Sequence, residues 1–318
     1  DDKALGLPPM NMRLARELLS RKRIHRLLQG TPGHTAANLD AEFLHDLRVA
    51  TRRTRSALTQ IKEVFPPEVV ERFKEGFGWV GQITGLTRDM DVYLLALDEY
   101  KAGLPAMLRE QLEPLRYFLE AHHVTEQKKL SRKLVSAQFR KLLKEWRTFL
   151  EAPVPEQPAV ANAARPAKAV ADERIWKMYR RVIKEGRAIT DNSPPEDLHE
   201  LRKSCKKLRY LIEFFQSMYA AKQARELIKV IKVLLDNLGN FQDLEVQSHT
   251  LQHFAEQMME EGKVAPGTLL AMGALIGGLA QRQQDARDHF ARIFAGFDTQ
   301  EHRLLFKTLF KAEPEAAV

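Results

Sequence analysis

The sequence predicts an all-α protein made of two similar halves. Apolar residues recur at helical spacing through most of the 318 residues, and no long segment alternates with the period of two that is typical of a half-buried strand. One stretch of the first half is repeated further along the chain, and a proline-rich segment separates the two copies. About four helices in each half, packed as an antiparallel bundle with short loops, account for these features.

The repeat is clearest in two positively charged segments. LHDLRVATRRTRSAL runs from Leu44 to Leu58, and LHELRKSCKKLRYLI runs from Leu198 to Ile212. The charged positions shared by the two copies are His45, Arg48, Arg52, Arg53 and Arg55, which correspond to His199, Arg202, Lys206, Lys207 and Arg209. Each pair is 154 residues apart (199 minus 45), and the same offset relates GLTRDMDVY at Gly85 to GNFQDLEVQ at Gly239. Repetition in one register predicts a duplicated architecture.

Each charged segment has one basic side and one apolar side. At about 100° per residue, four cations of each copy fall within roughly 80° of one another on the helix surface. We call them the first basic row, His45, Arg48, Arg52 and Arg55, and the second basic row, His199, Arg202, Lys206 and Arg209. The predicted core-facing positions are Leu47, Ala50, Thr54, Ala57, Leu58 and Ile61 in one copy and Leu201, Cys205, Leu208, Leu211, Ile212 and Phe215 in the other.

The charge balance indicates an acidic partner. The formal net charge is +8 and the isoelectric point is about 9.5. Most basic helix faces are ordinary solvated surface, and they interleave Glu with Lys because opposite charges four residues apart stabilise a helix. The two rows carry no carboxylate beyond Asp46 and Glu200, which are predicted to lie near the helix starts. We therefore predict that the rows bind a polyanion.

The other elements of the first half follow from periodicity, proline and glycine. A first helix covers about residues 11–29. Phe65-Pro66-Pro67 ends the first charged helix and starts the next, which runs towards Gly85. Residues 104–150 are predicted to be helical, with Pro114 at a kink or at a helix start. If residues 126–150 form one helix, it carries a third and looser basic row of Lys129, Lys133, Arg140, Lys144 and Arg147.

A linker divides the two halves. Residues 152–172 contain four prolines and predict an extended segment, after which helices resume at Glu173. We therefore assign a first repeat to residues 11–151 and a second repeat to residues 173–311. The final helices of the second repeat match the first only loosely.

Cysteine content and apolar runs bear on the compartment. The single cysteine, Cys205, is predicted to be a buried structural thiol in a reducing, cytoplasmic environment. The apolar run from Leu269 to Ala280 is too short to span a membrane, and its Gly273 and Gly277 predict close packing of a helix. The chain begins DDKALGLPPM, without an initiator methionine or a secretory signal, so we expect a processed start or a further domain upstream.

These segments resemble the CHAD domain, the conserved-histidine α-helical family. The resemblance rests on L-H-x-L-R-x-x-x-(R/K)-(R/K)-x-R in both copies, on D-x-(D/E)-V in both copies, and on SAQFRKLLKEWRTFL from Ser136 to Leu150, and it covers about residues 11–311. It implies two four-helix bundles related by a pseudo-twofold, with basic helices facing across a central channel. It further implies binding of inorganic polyphosphate, often at polyphosphate granules, and often a triphosphatase-like domain elsewhere in the same protein. Two departures are that Val49 matches Lys203 and that a second S-x-x-F-R is missing.

The chemistry of the rows leads to a similar function. Reading duplex DNA requires Asn or Gln among the arginines, and binding single strands requires stacking aromatics, whereas only Tyr210 lies near a row. A bare phosphate chain requires neither, and the first row rises about 15 Å. The predicted polyphosphate contacts are His45, Arg48, Arg52, Arg53, Arg55, Arg140, His199, Arg202, Lys203, Lys206, Lys207 and Arg209.

We predict a binding protein with no catalytic residue, metal or cofactor. One alternative is a basic scaffold associated with nucleic acid, for which the charge balance is suitable. The other is a metal-dependent phosphoanhydride hydrolase, in which Asp89, Asp91, Asp243 and Glu245 would hold the metal. Structural use of these acids, by orienting arginines of the rows, is the interpretation that we favour.

Overall fold

The protein is all-α, as predicted. The structure, a computed structural model, describes residues 41–153, 160–262 and 264–311, and this part of the chain contains helices and no strand. The helix predicted over residues 11–29 lies outside the described residues. The α-helices are α1 Ala41–Gln60, α2 Pro67–Ile83, α3 Gly85–Gly103, α4 Ala106–Arg109, α5 Glu113–Leu134, α6 Ala137–Glu151, α7 Ala167–Ala188, α8 Pro195–Phe215, α9 Ala221–Glu260, α10 Pro266–Phe297 and α11 Gln300–Phe310.

The helix boundaries follow the local chemistry of the sequence. Proline stands in the first turn of α2, α8 and α10, where its missing N–H would have no partner in any case. Ser136 caps α6 by accepting the N–H of Phe139 at 3.2 Å, and this cap separates α6 from α5. The continuous helix considered over residues 126–150 is therefore wrong. The third basic row is divided between two helices, with Lys129 and Lys133 on α5 and the other three cations on α6.

The repeat is visible in the helix order, but one long helix of the second half corresponds to two shorter helices in the first. α9 is a single helix of 40 residues, about 60 Å long. Its counterpart in the first half is the pair α2 and α3, which meet at the buried Thr84. The hydroxyl of Thr84 donates to the carbonyl of Val80 at 2.7 Å. The hydroxyl of Tyr93 donates to the carbonyl of Gln247 at 3.4 Å, and these two residues occupy the same position of the two copies. α3 and α9 therefore contact each other at matching positions of the repeat.

The hydrophobic core crosses from one half to the other. The larger cluster joins residues of the first half, such as Phe73 and Trp146, to residues of the second, such as Leu208 and Phe306. A second cluster joins α3 and α5 to α9 and α10. The predicted core-facing positions of both charged helices are buried, which confirms their orientation: Leu47, Ala50, Thr54, Ala57, Leu58, Ile61, Leu201, Cys205, Leu208, Leu211, Ile212 and Phe215.

Part of the proline-rich segment is folded against the first half. α7 begins at Ala167, six residues before the predicted start at Glu173. The backbone N–H of Asn162 donates to the carbonyl of Glu63 at 2.8 Å, and its side-chain amide donates to the carbonyl of Lys62 at 2.9 Å. Ala163 is fully buried. The segment is therefore docked over these residues, while residues 154–159 lie outside the described part of the chain.

Two smaller predictions concern α10 and Cys205. An added Cβ at Gly273 or Gly277 would meet no atom within 4 Å, so the predicted close helix packing at these glycines is wrong. Cys205 is fully buried, and burial raises the pKa of its thiol, as expected of a structural cysteine. Across the described ranges, no helix combines the length and the apolar character needed to cross a membrane.

Candidate functional site

The two charged helices, α1 and α8, pack against each other. Residues from the C-terminal parts of both helices, among them Ser56 and Gln60 of α1 and Leu211 and Phe214 of α8, line one small cavity of about 10 Å³. Each basic row faces the helices that follow it along the chain, which are α2 and α3 for the first row and α9 for the second. The two rows therefore lie on helices that contact each other, and each row is covered by helices of its own half.

The first basic row lies over the junction of α2 and α3. Arg48 donates from Nη1 to the carbonyl of Gly81 at 2.7 Å and to the hydroxyl of Thr84 at 2.9 Å. Its guanidinium lies over Gly85, where an added Cβ would come 3.8 Å from Nη1. Partial burial lowers the pKa of Arg48, and the nearby Asp89 carboxylate opposes this effect. The fold itself therefore fixes the direction of this side chain.

The second basic row repeats this arrangement over α9. The guanidinium of Arg202 lies over Gly239, the counterpart of Gly85, and an added Cβ there would come 3.8 Å from both Nε and Nη2. Nη2 of Arg202 is 3.1 Å from Oδ1 of Asp243. In each copy, the absence of a side chain at the glycine lets an arginine of the row lie against the helix backbone. In the second copy, Asp243 also orients Arg202.

In the last arginine of each row, the same buried nitrogen makes no hydrogen bond. Nε of Arg55 and Nε of Arg209 are buried and have no hydrogen-bond partner among the residues that the structure describes. The guanidinium carbon of Arg55 would lie 3.7 Å from a Cβ added at Gly78, and that of Arg209 lies 5.0 Å from the ring centroid of Tyr210. A buried donor without a partner costs about 1–3 kcal/mol. Nε of Arg209 also lies 3.5 Å from a carboxylate oxygen of Glu213, whose charge offsets part of this cost, whereas Arg55 has no such ion pair within the described residues.

The two rows come together where α1 packs against α8, and there the charge of Arg52 acts on Lys206, the matching position of the second copy. The pKa of Lys206 is lowered to about 8, mainly by burial and then by the positive charges of Arg202 and Arg52. The carboxylate of Asp243 raises the pKa of Lys206, and the charge of Arg209 lowers it. Cations from both halves are therefore close enough to repel one another, and one carboxylate stands among them.

A carboxylate that the sequence analysis did not consider lies where the rows begin to diverge. Glu213 is 3.9 Å from Nη2 of Arg53 through one oxygen and 3.5 Å from Nε of Arg209 through the other. It lies one residue beyond the repeated segment, and its counterpart in the first copy is Thr59. The protein therefore neutralises part of the positive charge at this end of the second row.

Three of the predicted contacts lie apart from the meeting point of the rows. Lys203 is exposed and pairs with Glu200, which stands in the second turn because α8 begins at Pro195. Arg140 is exposed on α6, and no contact within the described part of the chain joins it to either row. Lys207 faces a separate cavity beside α7.

The two histidines have different surroundings. Nδ1 of His199 contacts Oε1 of Gln242, and Nε2 of Gln242 donates to Glu245 at 3.1 Å. This chain of contacts fixes the ring of His199 between α8 and α9. His45 is exposed at the start of the first row. The matching histidines are therefore not equivalent in their contacts.

Comparison with known proteins decides the family. The family model described as the CHAD domain matches residues 19–252. The chain belongs to the CHAD domain family. The resemblance predicted from the doubled L-H-x-L-R segment is confirmed.

Known relatives of this CHAD domain include two curated proteins and two solved structures. The uncharacterized proteins MT2285 and Rv2226, from two strains of Mycobacterium tuberculosis, are each 28% identical over 237 residues, which is 68% of this chain and 42% of theirs. The chain thus spans less than half of their length. The CHAD domain of the plant Ricinus communis has a TM-score of 0.66 at 23% identity and covers 90% of both chains. PptA from Streptomyces chartreusis has a TM-score of 0.65 at 16% identity, covering 89% of this chain and 96% of its own. The two structures show the same fold.

The acids of the D-x-(D/E)-V segments of this CHAD domain are engaged by neighbouring side chains. Asp91 is buried and contacts Nε2 of His123 at 2.8 Å. Asp243 pairs with Arg202, and Glu245 accepts from Gln242. Within the described ranges, no group of three or more His, Cys, Asp or Glu residues is placed to hold a metal ion.

Arg88 is a cation of the CHAD site that the sequence analysis missed. It lowers the pKa of Arg48 through its charge, and it also lowers the pKa of Asp89, which burial raises. Its Nη1 lies 3.5 Å from the carbonyl of Ala41 at the start of α1. The repeat concealed it, because the matching position holds Gln242. Arg88 directly precedes Asp89, which matches Asp243 of the second copy, and this position in the repeated segment could have identified it.

Proposed function

We propose that this CHAD domain binds inorganic polyphosphate in a basic channel between its two rows, without catalysing a reaction on it. The observation that carries the proposal is the packing of α1 against α8, which brings Arg52 close enough to Lys206 for their charges to repel. Like charges that repel in the unliganded protein are stabilised when an anion lies between them. The channel between two four-helix bundles, and association with polyphosphate granules, are parts of this proposal.

A bare phosphate chain suits these side chains better than nucleic acid does. Tyr210, the aromatic residue beside the second row, is only 6% exposed, so it offers no surface on which a base could stack. The planar forks of Arg48, Arg52 and Arg55 suit paired phosphate oxygens, while Lys206 acts as a mobile point charge. A linear chain of phosphates uses all of these contacts and requires no other group.

The proposal is tested by removing the two charges at the meeting point of the rows. The variant Arg52→Gln with Lys206→Gln should weaken binding by about tenfold for each charge, because one charge-assisted contact contributes about 1.5–3 kcal/mol at best. Arg48 and Arg202 are poorer targets, since their contacts with the fold would confuse loss of binding with loss of structure. Binding is measured by calorimetric titration with polyphosphates of several lengths at moderate salt.

A matched control removes the same charge elsewhere. Lys229 on α9 and Arg292 on α10 are both exposed and have no ion pair in the described part of the chain. Lys229→Gln with Arg292→Gln should bind polyphosphate within about twofold of the unaltered protein, because distant surface charges are screened. Equal binding by the two double variants would show that net charge, and not the rows, attracts the ligand.

The absence of catalysis is tested separately. Incubation with polyphosphate and magnesium should release no phosphate above the buffer control. Release that is lost on changing Asp89 or Asp243 to Asn would support the hydrolase alternative instead.

A further inference from the structure

A second basic surface runs along the outer side of α7, apart from the two rows. A cavity of about 1290 Å³ lies between α7, the end of α1, Lys207 of α8 and the end of α11. A neighbouring cavity of about 580 Å³ lies between α7 and α11. The two cavities share Trp176, Arg180 and Lys184, so they form one continuous depression, which we call the α7 groove.

The α7 groove carries cations that the protein does not neutralise. Lys177, Arg180 and Lys184 are exposed, lie about one helical turn apart, and have no ion pair with any residue that the structure describes. Arg181, by contrast, pairs with Glu185 at 2.5 Å. Like charges at this spacing destabilise a helix, so an uncompensated run of them indicates an anionic ligand.

The α7 groove differs from the basic rows in having an aromatic side chain among its cations. Trp176 is partly buried and lines both cavities. Its ring lies 5.5 Å from that of Tyr179, and the Tyr179 ring is stacked on Phe306 at 3.9 Å. The indole therefore packs against a buried ring that is itself held by Phe306. The part of the indole that lines the groove lies beside Lys177, Arg180 and Lys184.

We propose that the α7 groove binds single-stranded nucleic acid. Lys177, Arg180 and Lys184 would contact successive phosphates, and a base would stack on Trp176, which is the combination that sequence-independent binding of single strands requires. Polyphosphate and acidic peptides have no base to place on the indole. A free nucleotide would occupy one of the two cavities, whereas a strand passes through both. The side chains that carry this proposal, Trp176, Lys177, Arg180 and Lys184, belong to neither basic row.

The first test uses tryptophan fluorescence of the complete chain. A twelve-nucleotide oligouridylate should quench the emission of Trp176 by stacking on it, and Trp176→Phe should abolish the quenching. The other two tryptophans serve as an internal reference, since Trp146 is buried in the larger core cluster and Trp79 packs against that cluster. Polyphosphate should leave the emission unchanged. An oligonucleotide that does not quench, or a polyphosphate that quenches equally, would overturn the proposal.

The second test separates the two surfaces by mutation. Lys177→Gln with Lys184→Gln should weaken oligouridylate binding by about tenfold and leave polyphosphate binding within about twofold. Arg52→Gln with Lys206→Gln should do the reverse. Unchanged oligouridylate binding by the first variant would exclude the α7 groove, and loss of both ligands in the second variant would indicate one shared site.

Competition identifies the ligand class of the α7 groove. Oligouridylate should be displaced weakly by uridine monophosphate and by polyglutamate of matched charge. Equal displacement by the mononucleotide would mean a nucleotide pocket, and equal displacement by polyglutamate would mean an acidic protein partner. Either result would contradict the proposed strand.

Discussion

Lys206 is charged in a position that the folded chain makes unfavourable for a charge. It is partly buried, and Arg202 and Arg52 lie close enough to repel it. Its pKa in the folded protein is about 8, below the ordinary value of 10.5. Below pH 8 both the folded and the unfolded chain carry the proton, so the folded state bears the full cost. Between pH 8 and 10.5 the folded chain releases the proton and the cost disappears.

Replacing Lys206 should therefore stabilise the protein at neutral pH. Lys206→Met keeps the apolar stem and removes the charge, so we expect a higher Tm than that of the unaltered protein at pH 7. The advantage should shrink as the pH rises from about 8 to 10.5, because the unaltered protein then loses its own proton. Thermal unfolding of both proteins at pH 7 and pH 10 measures this difference. A lower Tm of the variant at pH 7, or an advantage that does not change with pH, would contradict the interpretation.

At the scale of single helices, glycine has different roles on α7 and on α10. A Cβ added at Gly186 of α7 would lie 2.0 Å from Cε2 of Phe294, a ring of the core that packs α10 against α7. At Gly277 of α10, an added Cβ would meet nothing within 4 Å. The first glycine is required by packing, and the second is not.

Alanine substitution should therefore act with opposite sign at these two glycines. Gly186→Ala should lower the free energy of unfolding by about 1–3 kcal/mol, because the core would be overpacked at Phe294. Gly277→Ala should raise it by about 0.5–1 kcal/mol, because alanine favours the helix. Urea unfolding of the two variants beside the unaltered protein gives both values. Similar destabilisation by both changes would show that α10 is packed at Gly277 as well.

The sequence predicted the elements that are determined by residues close together in the chain, and it missed those that depend on a single cap or on distant contacts. The orientation of α1 and α8 followed from periodicity, because a helix with a continuous apolar side has one way to face a core. The break before Ser136 depends on a single hydroxyl that caps α6, and the helical pattern continues across it. The early start of α7 at Ala167 lies in a proline-rich segment whose docking depends on Asn162 and on distant carbonyl groups.

The sequence predicted most of the cations of the candidate site, but not which side chains of the two halves lie close together. The repeated motif identified Arg52 and Lys206, yet only the folded chain shows that they approach each other. Glu213 neutralises part of the second row although it lies just outside the repeat, and Arg88 adds charge where the other copy has a glutamine. Contacts that break the symmetry of a duplication cannot be derived from the duplicated motif alone.

For the whole molecule, the shared core means that neither half is complete by itself. Trp146 of the first half and Leu208 of the second belong to one buried cluster, and α3 and α5 bury their apolar sides with α9 and α10. Separating the halves would expose both clusters to water, at about 25 cal/mol for each Å² of apolar surface. The division of the chain into residues 11–151 and 173–311 therefore marks two sequence repeats and not two independently stable domains.

We accordingly expect the two halves to unfold together. In a Trp176→Phe background, fluorescence reports the first half through Trp79 and Trp146, while pulsed labelling of the buried Cys205 thiol reports the second. Both probes should give the same urea midpoint, because a cluster built from both halves is lost as a unit. Polyphosphate should raise both midpoints equally if it binds between the rows, since a ligand of the native state stabilises everything that unfolds with its site. Two separate midpoints would show that each half keeps a core of its own, and a ligand shift confined to one probe would place the binding site within that half.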